Sequence, residues 1–447
     1  MKRRKSPARR FALGAVGLMP LVGALISIFW MLMIRARPET WAAALAVVES
    51  WVLGCVTSLL GAIVLMQALY TGLQSVMWQR YRPFKRPKRA DKTDWPRVSV
   101  VIPAFNEGPM VERSIRSVTK SVYPADRLEI IVVDDGSRDD TFFHMQRLRR
   151  EFPGLVRLIR FSSNRGKRAA LEAGFRDATG EIVVTIDSDS EVEPKTIAEM
   201  VTPFLVDPNV GGVAGRVTVL NRDTTISRML EVQYALAFDF GRAAQSAYRT
   251  VACCPGALSA FRLSIIKPHL EEWTHQTFLG RPVGHGEDQA LTNIVLRQGY
   301  DTVYQRTACI RTLAPTTYRQ MSRMYLRWDR SYIVEGFSFA KFMFTRYRTK
   351  NRVLPIVSFV VSNLRLILFF WGLVELPFAF TEDAGTHLHA AIALSLGALF
   401  TAAYYLRIER SFRFVYGLLY AIYSVLFLQW ILPWALITVR DERWGTR

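Results

Sequence analysis

The chain has 447 residues, 50% of them hydrophobic and 21% charged, with a net charge of +20. This composition excludes a disordered protein, and at about 150 residues per domain the length allows two or three domains. The positive balance admits a nucleic acid, an anionic substrate or an anionic membrane face as partner, so the position of the charges has to decide.

The basic residues gather beside apolar segments. MKRRKSPARR opens the chain and leads into Phe11 to Ile34, twenty-four residues without a charge, longer than the roughly 20 that cross a bilayer as a helix. A second apolar stretch runs from about Trp51 to Met77 and ends at RYRPFKRPKR, residues 80 to 89. Basic runs at the outer ends of two spans place the N-terminus and everything after Arg80 in the cytoplasm, with Arg35 to Ser50 outside. No nucleic-acid partner is expected, because the densest runs flank membrane segments instead of lining one face. Phe11 to Ile34 reads as a retained helix, since a signal peptide has a shorter apolar core and a small-residue cleavage site. Residues 1–96 are thus expected to form an N-terminal membrane hairpin.

From about Arg97 to Arg330 the composition is that of an α/β domain. VSVVIPAF, EIIVVDDG and EIVVTIDSDS alternate with helical patterns, which predicts βαβ units around a mixed, mostly parallel sheet. One helix should begin near Pro109, another should follow Asn164 to Lys167, and a third should cover Gln289 to Gln298. After Arg330, Phe337 to Arg348 suits a helix in the membrane interface, and Val353–Phe380, Ala384–Leu406 and Phe412–Val439 are further apolar stretches. The predicted architecture is a cytoplasmic domain, residues 97–335, inserted between transmembrane helices, with 336–447 supplying the interfacial helix, the C-terminal membrane segments and a tail. Gly417 and Pro433 in the last stretch predict a segment that enters the membrane and returns, giving four full crossings and a cytoplasmic C-terminus. Cys55, Cys253, Cys254 and Cys309 have no zinc-ligand spacing and are expected to be reduced.

In such a sheet ligands bind outside the carboxyl ends of the strands, where Asp134, Asp135, Asp187 and Asp189 all fall. Asp187-Ser188-Asp189 puts two carboxylates on one turn, which suits Mg²⁺ or Mn²⁺ shared with a diphosphate; a turn that caps a helix uses the same residues. Asp134-Asp135-Gly136-Ser137 can accept hydrogen bonds from a base or ribose, and Asn164, Gly166, Lys167 and Arg168 bring donors and two cations toward a diphosphate. Gly284-His285-Gly286-Glu287-Asp288 presents a carboxylate at a helix start, as an N-cap or as a general base.

The ordered series VSVVIPAFNE, VVDDGS, NRGKR, DSDS, GRAAQS, CCPGALSAFR, HQTFLGRPVGHGED, Arg327-Trp328 and the WGTR from Trp444 resembles the processive members of glycosyltransferase family 2, hyaluronan synthases most closely. CCPG is also similar to the Cys-rich stretch of chitin-oligosaccharide synthases. The resemblance covers nearly the whole chain and implies an A-type glycosyltransferase domain with Mg²⁺ or Mn²⁺ on Asp189 and Asp187. It implies donor contacts from Pro103, Glu107, Asp134, Asp135, Lys167, Arg168, Asp187 and Arg447. It further implies Asp288 as the base, Arg327 on the diphosphate, and Trp328 facing the acceptor sugar together with Cys254, Gly256, Glu287 and Trp444. Where the family has Gln-Gln-x-Arg-Trp, this chain reads Met324-Tyr325-Leu326-Arg327-Trp328, so both glutamines are missing.

The expected protein is a multi-pass enzyme of the plasma (inner) membrane. By resemblance it takes UDP-N-acetylglucosamine and UDP-glucuronic acid, extends a β-linked, hyaluronan-like polysaccharide by an inverting mechanism, and exports it through its own helices. The missing glutamines keep two alternatives in view: a chitin-type N-acetylglucosamine oligosaccharide synthase, and a transferase that moves one sugar onto a lipid or short acceptor. A third, a nucleotide-sugar-binding membrane scaffold, is opposed by the presence of Asp189 and Asp288.

Overall fold

The computed structural model describes residues 59, 62–86, 95–345, 347, 352–375, 399–400 and 402–441. The expected span Phe11–Ile34, residues 51–58 of the second, and Trp444 and Arg447 of the tail lie outside them. The chain divides into two units, Met1–Gln67 and Ala68–Arg447, and the α/β domain belongs wholly to the second.

Its strands are β1 (Val98–Ala104), β2 (Leu128–Asp134), β3 (Val156–Arg160), β4 (Ile182–Ile186), β5 (Ser190–Val192), β6 (Val210–Val219), β7 (Leu258–Arg262), a short hairpin of β8 (Thr277–Phe278) and β9 (Arg281–Pro282), and β10 (Asp301–Thr312). Eight of them form one sheet in the order β3-β2-β1-β4-β7-β6-β10-β5. β1 pairs in parallel with β2 and β4, β2 with β3, and β6 with β10, while β7 runs antiparallel to β4 and β6, and β5 to β10. The mixed, mostly parallel sheet read from the sequence is therefore present.

β1 is buried at every position, as a strand covered on both faces must be. The pleat sorts its side chains: Val98, Val100 and Ile102 join one core cluster, and Val101 joins the other. Helices α1 (Met110–Thr119), α2 (Thr141–Glu151), α3 (Lys167–Asp177) and α4 (Thr196–Val206) follow β1, β2, β3 and β5. Val111, Ile115, Met145, Leu148, Ile197 and Met200 of α1, α2 and α4 cover the first face, whereas Ala170, Leu171 and Phe175 of α3 cover the second. Each of these side chains except Ala170 contributes roughly 1.5–3 kcal/mol by burial. α5 (Thr225–Ala235) runs through a π-helical turn into α6 (Gly241–Ala247), and α7 is Glu287–Arg297.

α7 begins two residues before the expected Gln289, with Gly286 as its N-cap. Glu287 and Asp288 thus occupy its first turn, where the helix dipole favours carboxylates. Gly286 has a φ of 71°, and a Cβ there would sit 3.0 Å from Ser331 Cβ, so glycine permits both the left-handed turn and the close approach of the next helix.

That helix, α8, corrects the expectation of a separate interfacial helix over Phe337–Arg348. It is one continuous element, Tyr318–Phe342, capped by Thr317; no proline interrupts it, and Met321, Met324, Val334 and Phe342 keep one face buried along its length. α9 (Val353–Glu375) contains Val353–Phe370, the one helix among the described residues long and apolar enough to cross a membrane. α10 (Phe414–Phe427) and α11 (Ile431–Ile437) pass that test only as a pair bent by 49°. A break in this stretch was expected at its glycine or proline. It falls at residues 428–430, just before Pro433, which has no N–H to donate to the carbonyl of residue 429 and so opens a new helix in its first turn, while Gly417 lies inside α10. Val415, Leu419, Ile422 and Leu426 form an exposed apolar stripe on α10. Tyr420 and Tyr423 of the same helix pack toward the domain core.

Candidate active site

The site begins at the turn after β2. Gly136 has a φ of 72°, and a Cβ on it would lie 2.4 Å from the backbone of Ser163, so only glycine lets the loop 163–167 close against Asp135. Asp135 Oδ1 accepts from the Arg165 N–H at 2.7 Å, and its Oδ2 accepts from the Gly166 N–H at 2.9 Å and Asn164 Nδ2 at 3.0 Å. Burial raises the proton affinity of Asp135, and the backbone donors oppose it. Asp134 is fully buried, accepts from the Ser137 N–H at 2.9 Å and faces Arg160 Nε at 3.2 Å. The resemblance set both carboxylates on the nucleotide; here their partners are the turn and the loop beside it. Pro103 is a buried residue of β1 opposite Val133, and the Glu107 backbone N–H donates to Thr141 Oγ1 at 2.8 Å.

Loop 163–167 delivers Lys167 to the centre. Its Nζ lies 2.5 Å from Asp187 Oδ1 at the end of β4 and 3.1 Å from Glu287 Oε1 at the start of α7. Burial opposes its charge, but Asp187 and Glu287 more than reverse that and hold the ammonium above its ordinary value. Asp189, half-buried on the same turn as Asp187, accepts from Thr312 Oγ1 and Ser190 Oγ, each at 3.2 Å. Among the described residues no group of three or more His, Cys, Asp or Glu is arranged to hold a metal. A cation at the β4 turn would have these two carboxylates as protein ligands and would complete its shell from phosphate and water, a donor set that fits Mg²⁺ or Mn²⁺.

Asp288 Oδ2 accepts from the Gly256 N–H at 2.9 Å, and Oδ1 from the Gln289 N–H at 2.8 Å. Burial and then the neighbouring Glu287 charge raise its proton affinity, whereas Lys167 and Arg327 overcome burial at Glu287 and keep that group ionised. Two adjacent carboxyl groups with proton affinities pushed apart are the arrangement that separates a proton acceptor from a fixed charge. Gly256 is the floor of this centre, since a Cβ on it would meet Lys167 Nζ at 3.0 Å and Glu287 Oε1 at 3.4 Å. Cys254, expected on the acceptor side, is buried in the core behind the sheet, and Cys253 instead brings its Sγ to 3.6 Å from Asp288 Oδ2.

Arg168 also departs from expectation. It is buried and donates to the Trp273 carbonyl at 2.7 Å, Gln276 Oε1 at 2.8 Å and the His285 carbonyl at 3.0 Å. Gln276 and Asn293 in turn donate to buried Glu335 of α8, at 2.7 and 2.9 Å. The guanidinium thus joins a network that fixes α8 against the helix bearing Asp288. His285 lies in that seam, held neutral because burial pushes its proton affinity down to about 4.

α8 brings Arg327 close enough for its charge to act on both Lys167 and Glu287. Trp328 packs among Tyr234, Phe238 and Tyr325, with ring centroids 6.1, 6.0 and 5.5 Å away. At the positions of the missing glutamines, Met324 is buried and receives a hydrogen bond on sulfur from Tyr234 at 3.3 Å, and the Tyr325 hydroxyl meets that of Tyr420 in α10 at 2.7 Å. Sequence reasoning missed Tyr234 and Phe238, although their spacing of four on a helix was a readable sign of a shared face.

Residues 99–270 match the model of glycosyl transferase family 2. An N-acetylglucosaminyltransferase of Azorhizobium caulinodans is 30% identical over 357 residues, covering 79% of this chain and 87% of that protein. A hyaluronan synthase of Streptococcus pyogenes is 30% identical over 82% of this chain and 86% of its own. A mannosyltransferase from Pyrobaculum calidifontis, solved in complex with GDP-mannose and Mn²⁺, shares the fold with a TM-score of 0.57 at 24% identity, over 85% of this chain and 98% of its own. A strand-end acidic pair, a buried lysine bridge and a split carboxylate pair thus sit on a fold and a sequence held in common with sugar transferases: the chain belongs to glycosyltransferase family 2 and is a glycosyltransferase.

Proposed function

We propose that this enzyme is a membrane synthase that takes sugars from UDP donors, inverts the anomeric carbon, and extends a β-linked, hyaluronan-like polysaccharide. The observation that carries the reading is the bridge from Asp187 through Lys167 to Glu287, with Asp288 beside it. In this mechanism Asp288 removes the proton from an acceptor hydroxyl, whose oxygen attacks the anomeric carbon. The bond from that carbon to the diphosphate breaks, and its electron pair leaves with UDP. Lys167 and Arg327 place positive charge where the diphosphate departs, which lowers the barrier by preorganised electrostatics. A divalent cation on Asp189 and Asp187 would add neutralising charge at the same oxygens. Asp135 acts on the donor through the loop that it fixes.

The membrane part of the reading rests on α9 and the bent α10–α11 pair. Asp441 pairs with Arg330 at 3.4 Å, one helical turn beyond Arg327. This contact supports placing the end of the described chain on the side of the catalytic domain. A cysteine placed after Arg447, in a background lacking the native four, should react with impermeant maleimide only in opened cells; labelling of intact cells would remove the tail from the site.

The second reading is a chitin-type N-acetylglucosamine oligosaccharide synthase, favoured by Met324 and Tyr325 in place of the glutamines. Incubation with UDP-N-acetylglucosamine and UDP-glucuronic acid, alone and together, followed by digestion with glycosidases specific for each polymer, separates the two. The first reading requires both donors for a long product; a product from UDP-N-acetylglucosamine alone selects the second, and no transfer from either refutes both.

A further inference from the structure

Arg242 of α6 is 8% exposed. Its Nε donates to the Cys253 carbonyl at 3.0 Å, and its guanidinium carbon lies 4.3 Å from the centre of the Phe238 ring. One terminal nitrogen, Nη1, is fully buried and has no hydrogen-bond partner among the described residues, and the side chain forms no ion pair among them. A buried guanidinium left with an unused donor is costly, and its planar fork suits an oxygen of a carboxylate or amide.

The surroundings of Arg242 give that donor a direction. Cys253 is the residue whose thiol touches Asp288, and Phe238 is the ring set edge-on to Trp328. Phe238 also lies in the π-helical turn Leu236–Phe240, a deformation common at functional sites. The turn is held by Asp239, buried and bound to Arg306 at 2.6 and 2.9 Å and to the Tyr304 hydroxyl at 2.9 Å. Arg242 therefore touches both the residue whose thiol reaches the base and a ring of the aromatic cluster.

Resting on the transferase reading above, we propose that Arg242 is a specificity residue for the acceptor, donating from Nη1 to a carbonyl-type oxygen, acetamido or uronate, on the sugar stacked at Trp328. A sugar bearing hydroxyl groups alone lacks that oxygen and leaves the donor unmatched.

The test uses the full-length enzyme in lipid nanodiscs and short oligosaccharide acceptors ending in glucose, N-acetylglucosamine or glucuronic acid. The wild type should show an acceptor KM at least about 10-fold lower for one or both of the last two, the worth of a hydrogen bond to a charged group. Whichever arm gains identifies the oxygen. Arg242→Lys, which keeps the charge and loses the fork, should raise that KM to the glucose level and leave the donor KM in place. Equal KM values for all three acceptors in the wild type would overturn the proposal, even if the variant failed to fold. So would an equal effect of the variant on every acceptor or on the donor. Absence of transfer to any acceptor would instead refute the transferase reading itself.

Discussion

Asp187 and Asp189 stand on a strand-end turn, with the Asp187 side chain 29% exposed, whereas Glu287 and Asp288 open a helix and Glu287 keeps only 7% of its side chain exposed. The first pair can share a hydrated cation because solvent and phosphate complete its shell. The second cannot ionise freely, since like charges side by side in a dry setting raise each other's proton affinity. Lys167 touches one member of each pair, and this contact together with Arg327 leaves Glu287 charged and Asp288 raised. The same residue types thus acquire different chemistry from burial and from one shared cation.

The comparison breaks most visibly at Asp288. Asp288→Asn should lower turnover by about 10² to 10⁴, the worth of general-base catalysis, and bind donor nearly as before. A parallel loss of donor affinity would make Asp288 a binding group. Gly256→Ala places a methyl 3.0 Å from Lys167 Nζ and should push the two pairs apart, with a loss of kcat of about 10- to 10²-fold from misplacement. Wild-type kcat in that variant would show that the spacing is not needed.

Lys167→Gln sharpens the comparison through pH. A base works when deprotonated, and Lys167 lowers the proton affinity of Asp288; removing it should move the acid limb of kcat to higher pH. A limb that stays or moves down would contradict the assignment of that limb to Asp288. The smallest effect belongs to Trp328→Ala, which should raise acceptor KM about 3- to 10-fold, the scale of an aromatic contact, and shorten products more than it changes donor hydrolysis. An unchanged product distribution would return Trp328 to a packing role.

What the sequence made legible was local. VSVVIPA and EIIVVD read as strands because each is a short apolar run, and their parallel pairing then places Asp134 and Asp135 at strand ends. Pro109 and Gly166 marked helix starts by their backbone chemistry. What stayed hidden depended on direction or distance. Lys167 and Arg168 are neighbours, yet one helical step of about 100° sends them to different partners, Asp187 and the Trp273 carbonyl. Cys253 and Cys254 sit in a loop with no period from which to tell inside from outside. Tyr325 meets Tyr420 across 95 residues of chain, a contact that no local pattern encodes. The continuity of α8 was hidden for another reason: its change from charged to aromatic composition looked like a boundary, while its buried face ran on.

The division of labour between the two acidic pairs is the central claim, and equilibrium affinity for UDP, measured with and without Mn²⁺ in Asp189→Asn and Asp288→Asn, tests it most directly. Asp189→Asn should lose the gain in affinity that Mn²⁺ gives the wild type, and Asp288→Asn should keep it. Loss of that gain in Asp288→Asn, or its survival in Asp189→Asn, would contradict the account.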